Sequence, residues 1–276
     1  MKRINRKIYF LILCAVASTT AMAQSFTVHQ GEREVSFNEE SVDSIVFSPN
    51  SVKEETTSTD AARKIQGRWC SLGTSITWVN DHITEPPVTD VTKGYQTRVM
   101  EKLAFTQFVN CGVNGGRVGD NISNVVRADY YTIEHGINDW GGRIPPGSFN
   151  DYKNNTNNGT FAANYRKVID AIFKKNPKAK VVLCTPRKAY GYNGTFPANP
   201  NDPLENGYYL KDYADLVRQI AEYESFPVAD FYNECGGGRI LKYLSFDEAL
   251  HPNDDGYQLM ANVLIQALEK VIIQAE

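Results

Sequence analysis

From residue 64 to the C-terminus, short runs of apolar and β-branched residues alternate with longer stretches in which apolar residues recur every three or four positions. Strands separated by helices pair in parallel, and both faces of such a sheet must be covered. The expected strands are 68–72, 105–111, 130–134, 180–185 and 227–231. The expected helices are 94–102, 118–127, 161–176, 209–223 and 257–273. The third helix is the clearest, with Tyr165, Val168, Ile169, Ile172 and Phe173 on one face and Pro177 as its stop. The pattern therefore predicts an α/β domain with a five-stranded, mainly parallel sheet. Two long loops, 141–159 and 187–207, follow the third and fourth strands. They overhang the carboxyl edge, where open α/β sheets place their ligands.

The N-terminus reads differently. Lys2, Arg3, Arg6 and Lys7 precede an apolar run at 8–18 that is too short to cross a bilayer, and Ala21-Met22-Ala23 supplies a small-x-small cleavage site before Gln24. A lipoprotein signal at Cys14 is disfavoured by Leu13, which stands where a small residue is needed. Residues 1–23 are thus expected to be a signal peptide and the mature protein to be secreted or periplasmic. Residues 24–50 read as a small β leader, with a hairpin of 26–28 and 35–37 around Gln30-Gly31-Glu32 and a third strand at 42–47. Residues 51–63 are a polar linker, and 64–276 form the main domain. No other stretch predicts a membrane span. The formal net charge of -3 gives no electrostatic reason to expect a nucleic-acid partner.

Removing Cys14 leaves Cys70, Cys111, Cys184 and Cys235. The first three fall in expected strands, where cysteine behaves as a small apolar residue, and no spacing suggests zinc. Neither a structural disulfide nor a metal is expected.

Four short stretches stand at the ends of successive elements. They are Gly73-Thr74-Ser75-Ile76-Thr77, residues 110–116, Gly136-Ile137-Asn138-Asp139, and Glu248-Ala249-Leu250-His251-Pro252-Asn253. A serine hydroxyl at the end of the first strand is a weak nucleophile that needs a base. Of the histidines, His29 lies in the leader, His82 in a polar loop and His135 at the end of the third strand, so His251 is the natural candidate.

In this order and setting, the four stretches resemble the sequence blocks of the SGNH hydrolases, also called the GDSL esterase/lipase family, over residues 66–272. The resemblance implies a flavodoxin-like three-layer α/β/α sandwich. It implies Ser75 as nucleophile, His251 as base, and the Ser75 N–H, Gly115 N–H and Asn138 amide as oxyanion donors, with no cofactor or metal. Two positions depart from the family pattern. Thr74 replaces the usual Asp before the serine. The acid expected three residues before the histidine is Glu248, with Asp247 one residue earlier; by register Glu248 is preferred, and Asp247 remains open. Trp78, Trp140, Arg187 and Tyr190 are candidates for the substrate rim.

The expected function is a secreted serine esterase acting on short-chain, chiefly acetyl, esters of a small molecule or glycan, most simply a carbohydrate O-deacetylase. The alternatives are a non-catalytic carbohydrate-binding protein on the same fold and a (lyso)phospholipid esterase.

Overall fold

The computed structural model describes residues 25–30, 33–38 and 63–273. The chain divides into two compact units, Met1–Thr57 and Ser58–Glu276. In the first unit, β1 (Ser25–Gln30) and β2 (Arg33–Asn38) form the expected antiparallel hairpin, with Phe26 opposite Phe37 and Val28 opposite Val35. The signal at 1–23, the strand expected at 42–47 and the linker up to residue 62 lie outside the described residues.

The second unit is built on a five-stranded, wholly parallel sheet: β3 (Arg63–Gly73), β4 (Leu103–Gly112), β5 (Tyr130–Glu134), β6 (Lys180–Cys184) and β7 (Val228–Ala229), in the order β4-β3-β5-β6-β7. β3 begins five residues earlier than residue 68 because Ile65 is itself buried and pairs with Phe105. A register shift between Ile65 and Arg68 is absorbed at Gly67, whose φ of +129° suits glycine. β7 is shorter than expected. Its continuation is turned away by Asp230, which caps the next short helix through Asn233 N and binds Thr185 and Arg218.

Helices α3 (Ile137–Gly141), α4 (Phe149–Lys153), α5 (Phe161–Lys175) and α6 (Leu210–Glu224) cover one face. Tyr165, Val168, Ile172, Tyr213 and Val217 pack there against Cys70, Leu72, Ile133 and Leu183. The other face is covered by α1 (Ser75–Trp78), α2 (Tyr95–Lys102), α7 (Phe231–Glu234) and α8 (Asp254–Ile273) over Trp69, Val182 and Ala229. The helix expected at 118–127 is a 3-10 turn, Val118–Asn124. The loop expected at 141–159 contains α4, held by a capping box between Ser148 and Asp151.

Register decides where chemistry can occur. Gly73 pairs with both Gly112 and Glu134, and Glu134 with Cys184, so the strands end level with one another. The four stretches picked out in the sequence leave the sheet from this edge or fold back onto it.

Candidate active site

β3 ends at Gly73 and the chain turns directly into α1. Thr74 caps that helix, its Oγ1 accepting from Ile76 N at 3.2 Å. Ser75, the first helical residue, is thereby placed over the strand end. The close turn needs two glycines. A Cβ on Gly73 would lie 2.0 Å from Thr77 Oγ1, and one on Gly112 would lie 2.3 Å from Trp78 N. From the far side, Tyr257 of α8 donates its hydroxyl to Ile76 O at 3.0 Å.

Ser75 Oγ lies 2.9 Å from His251 Nε2. His251 Nδ1 lies 2.5 Å from Asp247 Oδ2, and His251 N donates to Asp247 Oδ1 at 2.7 Å. The acid facing the histidine is therefore Asp247, and the register preference for Glu248 is corrected. Asp247 and His251 belong to one turn, closed by Leu250 N donating to Asp247 O, so the carboxylate can bind the backbone N and the ring N of the same residue. Glu248, at φ +38°, points away and accepts from Asn193 N at 2.9 Å, pinning the 187–207 loop.

The residues expected to supply oxyanion donors, Ser75, Gly115 and Asn138, each follow the end of a strand. The Ser75 and Gly115 N–H groups have no acceptor among the described residues. Val113 N donates to Gly73 O at 2.9 Å, which ties the 112–116 loop to the turn that carries Ser75. Gly115, at φ +70°, is exposed, and a Cβ there would meet nothing within 4 Å. Asn138 Nδ2 spends one N–H on Gly116 O at 3.0 Å and keeps a second.

The rim candidates fare differently. Trp140 is fully buried, donating Nε1 to Tyr208 O and packing on Phe196; it is core, not rim. Arg187 is also corrected. It is 1% exposed and donates to Ser245 Oγ, Leu250 O and Leu244 O at 3.1 to 3.3 Å, so it clamps the turn that carries Asp247 and His251. Burial pushes its guanidinium down to about 10. Trp78 is half-buried and stacked on His82 at 3.7 Å. Tyr190 borders a groove of about 400 Å³ with Asn199, Asn201 and Arg239.

Two rings that flank the histidine were not singled out in the sequence. Tyr192 stands edge-on to His251 at 5.7 Å, and Phe246 stacks on it at 5.6 Å. Phe246 adjoins Asp247 in the sequence, but nothing local shows that Tyr192 reaches the site. A second missed group is Glu134, the last residue of β5, fully buried behind the Ser75 turn. Its Oε2 accepts from Thr74 Oγ1 at 2.7 Å, and from Thr74 N and Thr77 Oγ1 at 3.2 Å. Burial pushes its carboxyl up to about 7, and Asp139 is likewise pushed up by burial to about 7. His135, fully buried, follows Glu134 at the end of β5. Its Nε2 meets Asn121 at 2.9 Å, and burial pushes it down to about 3, so it is a neutral internal group. Among the described residues, no cluster of three or more His, Cys, Asp or Glu side chains could hold a metal ion.

The GDSL-like lipase/acylhydrolase family model matches residues 71–259, more than half of the chain and all of the strand-end stretches. A crystal structure of a possible lipase from Chitinophaga pinensis is 27% identical, with a TM-score of 0.64 over 74% of this chain and 98% of that one. A protein from Lactobacillus plantarum, 20% identical, superposes with a TM-score of 0.62 over 76% and 98%. No curated protein matches the chain. The α/β fold agrees with that of the Chitinophaga pinensis structure, the family model covers the strand-end stretches, and the chain belongs to the GDSL-like lipase/acylhydrolase family.

Proposed function

We propose that the protein is an exported serine esterase that removes short acyl groups, chiefly acetyl, from a glycan, using Ser75, His251 and Asp247. The observation that carries this reading is the line of hydrogen bonds from Ser75 Oγ through His251 to Asp247, at 2.9 and 2.5 Å. Ser75 Oγ attacks the ester carbonyl carbon while its proton passes to His251 Nε2. Asp247 fixes the tautomer with Nδ1–H and stabilises the imidazolium that forms. The carbonyl oxygen becomes an oxyanion, met by the N–H groups of Ser75 and Gly115 and the free N–H of Asn138. His251 then protonates the leaving alkoxide. Water, activated by the same imidazole, attacks the acyl-serine and releases the acid.

The surroundings of His251 favour a polar, ring-shaped alcohol over a long acyl chain. Tyr192 and Phe246 offer faces and edges suited to sugar stacking. The loop that carries Tyr192 borders two grooves of about 400 and 450 Å³, lined by Tyr190, Asn199, Asn201 and Arg239 in one and by Arg143, Thr195 and Glu205 in the other. No helix among the described residues is long and apolar enough to cross a membrane.

The test is hydrolysis of p-nitrophenyl acetate, butyrate and decanoate, and of acetylated xylan and pectin oligosaccharides, by the mature protein beside Ser75→Ala. Ser75-dependent release of acetate from the oligosaccharides, falling with acyl length on the simple esters, is expected. Preference for decanoate would move the reading to a lipid esterase, and Ser75-independent rates would exclude the serine mechanism.

A further inference from the structure

A single chain of hydrogen bonds runs through the buried face of the sheet to the nucleophile turn, and every donor in it points the same way. Glu134 Oε2, as carboxylate oxygen, can only accept, so Thr77 donates its one hydroxyl proton to it, at 3.2 Å. Thr77 Oγ1 must then accept from Tyr95, at 2.8 Å. Tyr95, its proton spent, accepts from Ser71 at 2.9 Å, and Ser71 accepts from Thr132 at 3.3 Å. Thr132 accepts from Trp69 Nε1, at 3.1 Å, a group that can only donate. With the N–H and hydroxyl of Thr74, three donors converge on the one oxygen.

All three donors aim at Oε2, so the hydrogen bonds favour the charged carboxylate. A proton on Oε2 would have to be donated back to Thr74 or Thr77, reversing the chain. A proton on Oε1 would have no acceptor, since Oε1 is buried without a partner. The groups facing Glu134 from the other elements are Tyr95 on α2, Asp139 on α3, Tyr165 on α5, Cys184 on β6 and Tyr257 on α8. None of these is a cation. Donors favour the charge and burial opposes it, which leaves the balance near neutral pH.

We propose that Glu134 is the positioning residue of the nucleophile turn: as a carboxylate it anchors Thr74 and Thr77 and so aligns Ser75, and uptake of a proton releases that anchor. The proposal rests on Ser75 being the nucleophile. It makes the acid limb of activity a two-proton event, one proton on His251 and one on Glu134.

The measurement is the rate of phosphonylation of Ser75 by a fluorophosphonate, followed by intact-mass spectrometry from pH 5 to 9 on wild type, Glu134→Gln and Thr77→Val, with a melting curve for each. In wild type the rate is expected to fall with the second power of proton concentration on the acid side. In Glu134→Gln, whose amide oxygen still accepts but cannot be protonated in this range, it is expected to fall with the first power. Thr77→Val removes one donor and should carry one of the two ionisations to higher pH. A one-proton limb in wild type, or a Glu134→Gln profile that superimposes on it, would overturn the proposal. Should Glu134→Gln fail to fold, a one-proton wild-type limb unmoved by Thr77→Val would overturn it equally. Absence of labelling at Ser75 would sink the esterase reading as well, whereas His251-dependent labelling with a one-proton limb would sink only the role of Glu134.

Discussion

Asp247 holds His251 at two points, the ring nitrogen at 2.5 Å and the main-chain nitrogen at 2.7 Å. The first bond sets the tautomer; the second sets where the ring begins. Asp247→Asn keeps the size and the main-chain contact but offers the wrong partner to Nδ1–H, so kcat on p-nitrophenyl acetate should fall by about 10²–10⁴ with little change in KM. Glu248→Gln should leave kcat within about threefold, because Glu248 binds Asn193 N and not the histidine.

Arg187 reaches the same turn from beneath. Its guanidinium satisfies Leu244 O, Leu250 O and Ser245 Oγ from a buried position. Arg187→Met removes all three donors and should destabilise the protein by about 3–5 kcal/mol. Arg187→Lys keeps the charge but not the planar fork, and should fall between Met and wild type. Denaturant unfolding of the three proteins gives the order directly.

Two glycines of the 112–116 loop should respond to different extents. Gly112→Ala drives a Cβ to within 2.3 Å of Trp78 N and 2.7 Å of Thr77 C, both backbone. Relief requires α1 to move, so activity should fall at least about 10²-fold, together with a loss of stability. Gly115→Ala meets no atom and carries only the strain of φ +70°, about 1–2 kcal/mol. Circular dichroism melts and kcat/KM on the same preparations separate the two outcomes.

The buried acids set a pH dependence of stability. Glu134 and Asp139 both have folded values near 7, above their usual values, so their stabilising contribution is complete at low pH and is lost as pH rises through about 7. From pH 6.5 to 8 the two together should cost about 1.5 kcal/mol. Below pH 6.5 the gain is offset by His135, whose folded value near 3 means its contribution is lost on acidification. Thermal melts should therefore drop by a few degrees between pH 6.5 and 8, and Glu134→Gln should flatten about half of that slope.

Asn138 keeps one N–H after bonding Gly116 O. Asn138→Ala should lower kcat about 10²–10³-fold while leaving phosphonylated Ser75 detectable, which steady-state assays and mass spectrometry can show on one sample.

The strand–helix alternation was legible in the residues because its period is local. A strand reads every second residue and a helix every third or fourth, so β5 and β6 begin at the residues expected, and α5 and α6 lie within a residue or two of them. The stretches that carry Ser75, Gly115, Asn138 and His251 were legible because each has its own short signature. The acid was not. Asp247 and Glu248 are adjacent carboxylates, and only the turn that returns Asp247 to His251 N, with Glu248 drawn off to Asn193, separates them. Arg187 and Trp140 were misplaced for a related reason: a residue at the edge of a long polar loop looks exposed until the chain folds back over it, and then a large side chain can find its partners inside. Glu134 was invisible because its partners are Thr74 and Thr77, some 60 residues away. Sequence alone determined the layers and the turn that carries Ser75, since these depend on neighbours along the chain. Tertiary structure decided which carboxylates matter, since that depends on which donors and acceptors meet once water is excluded.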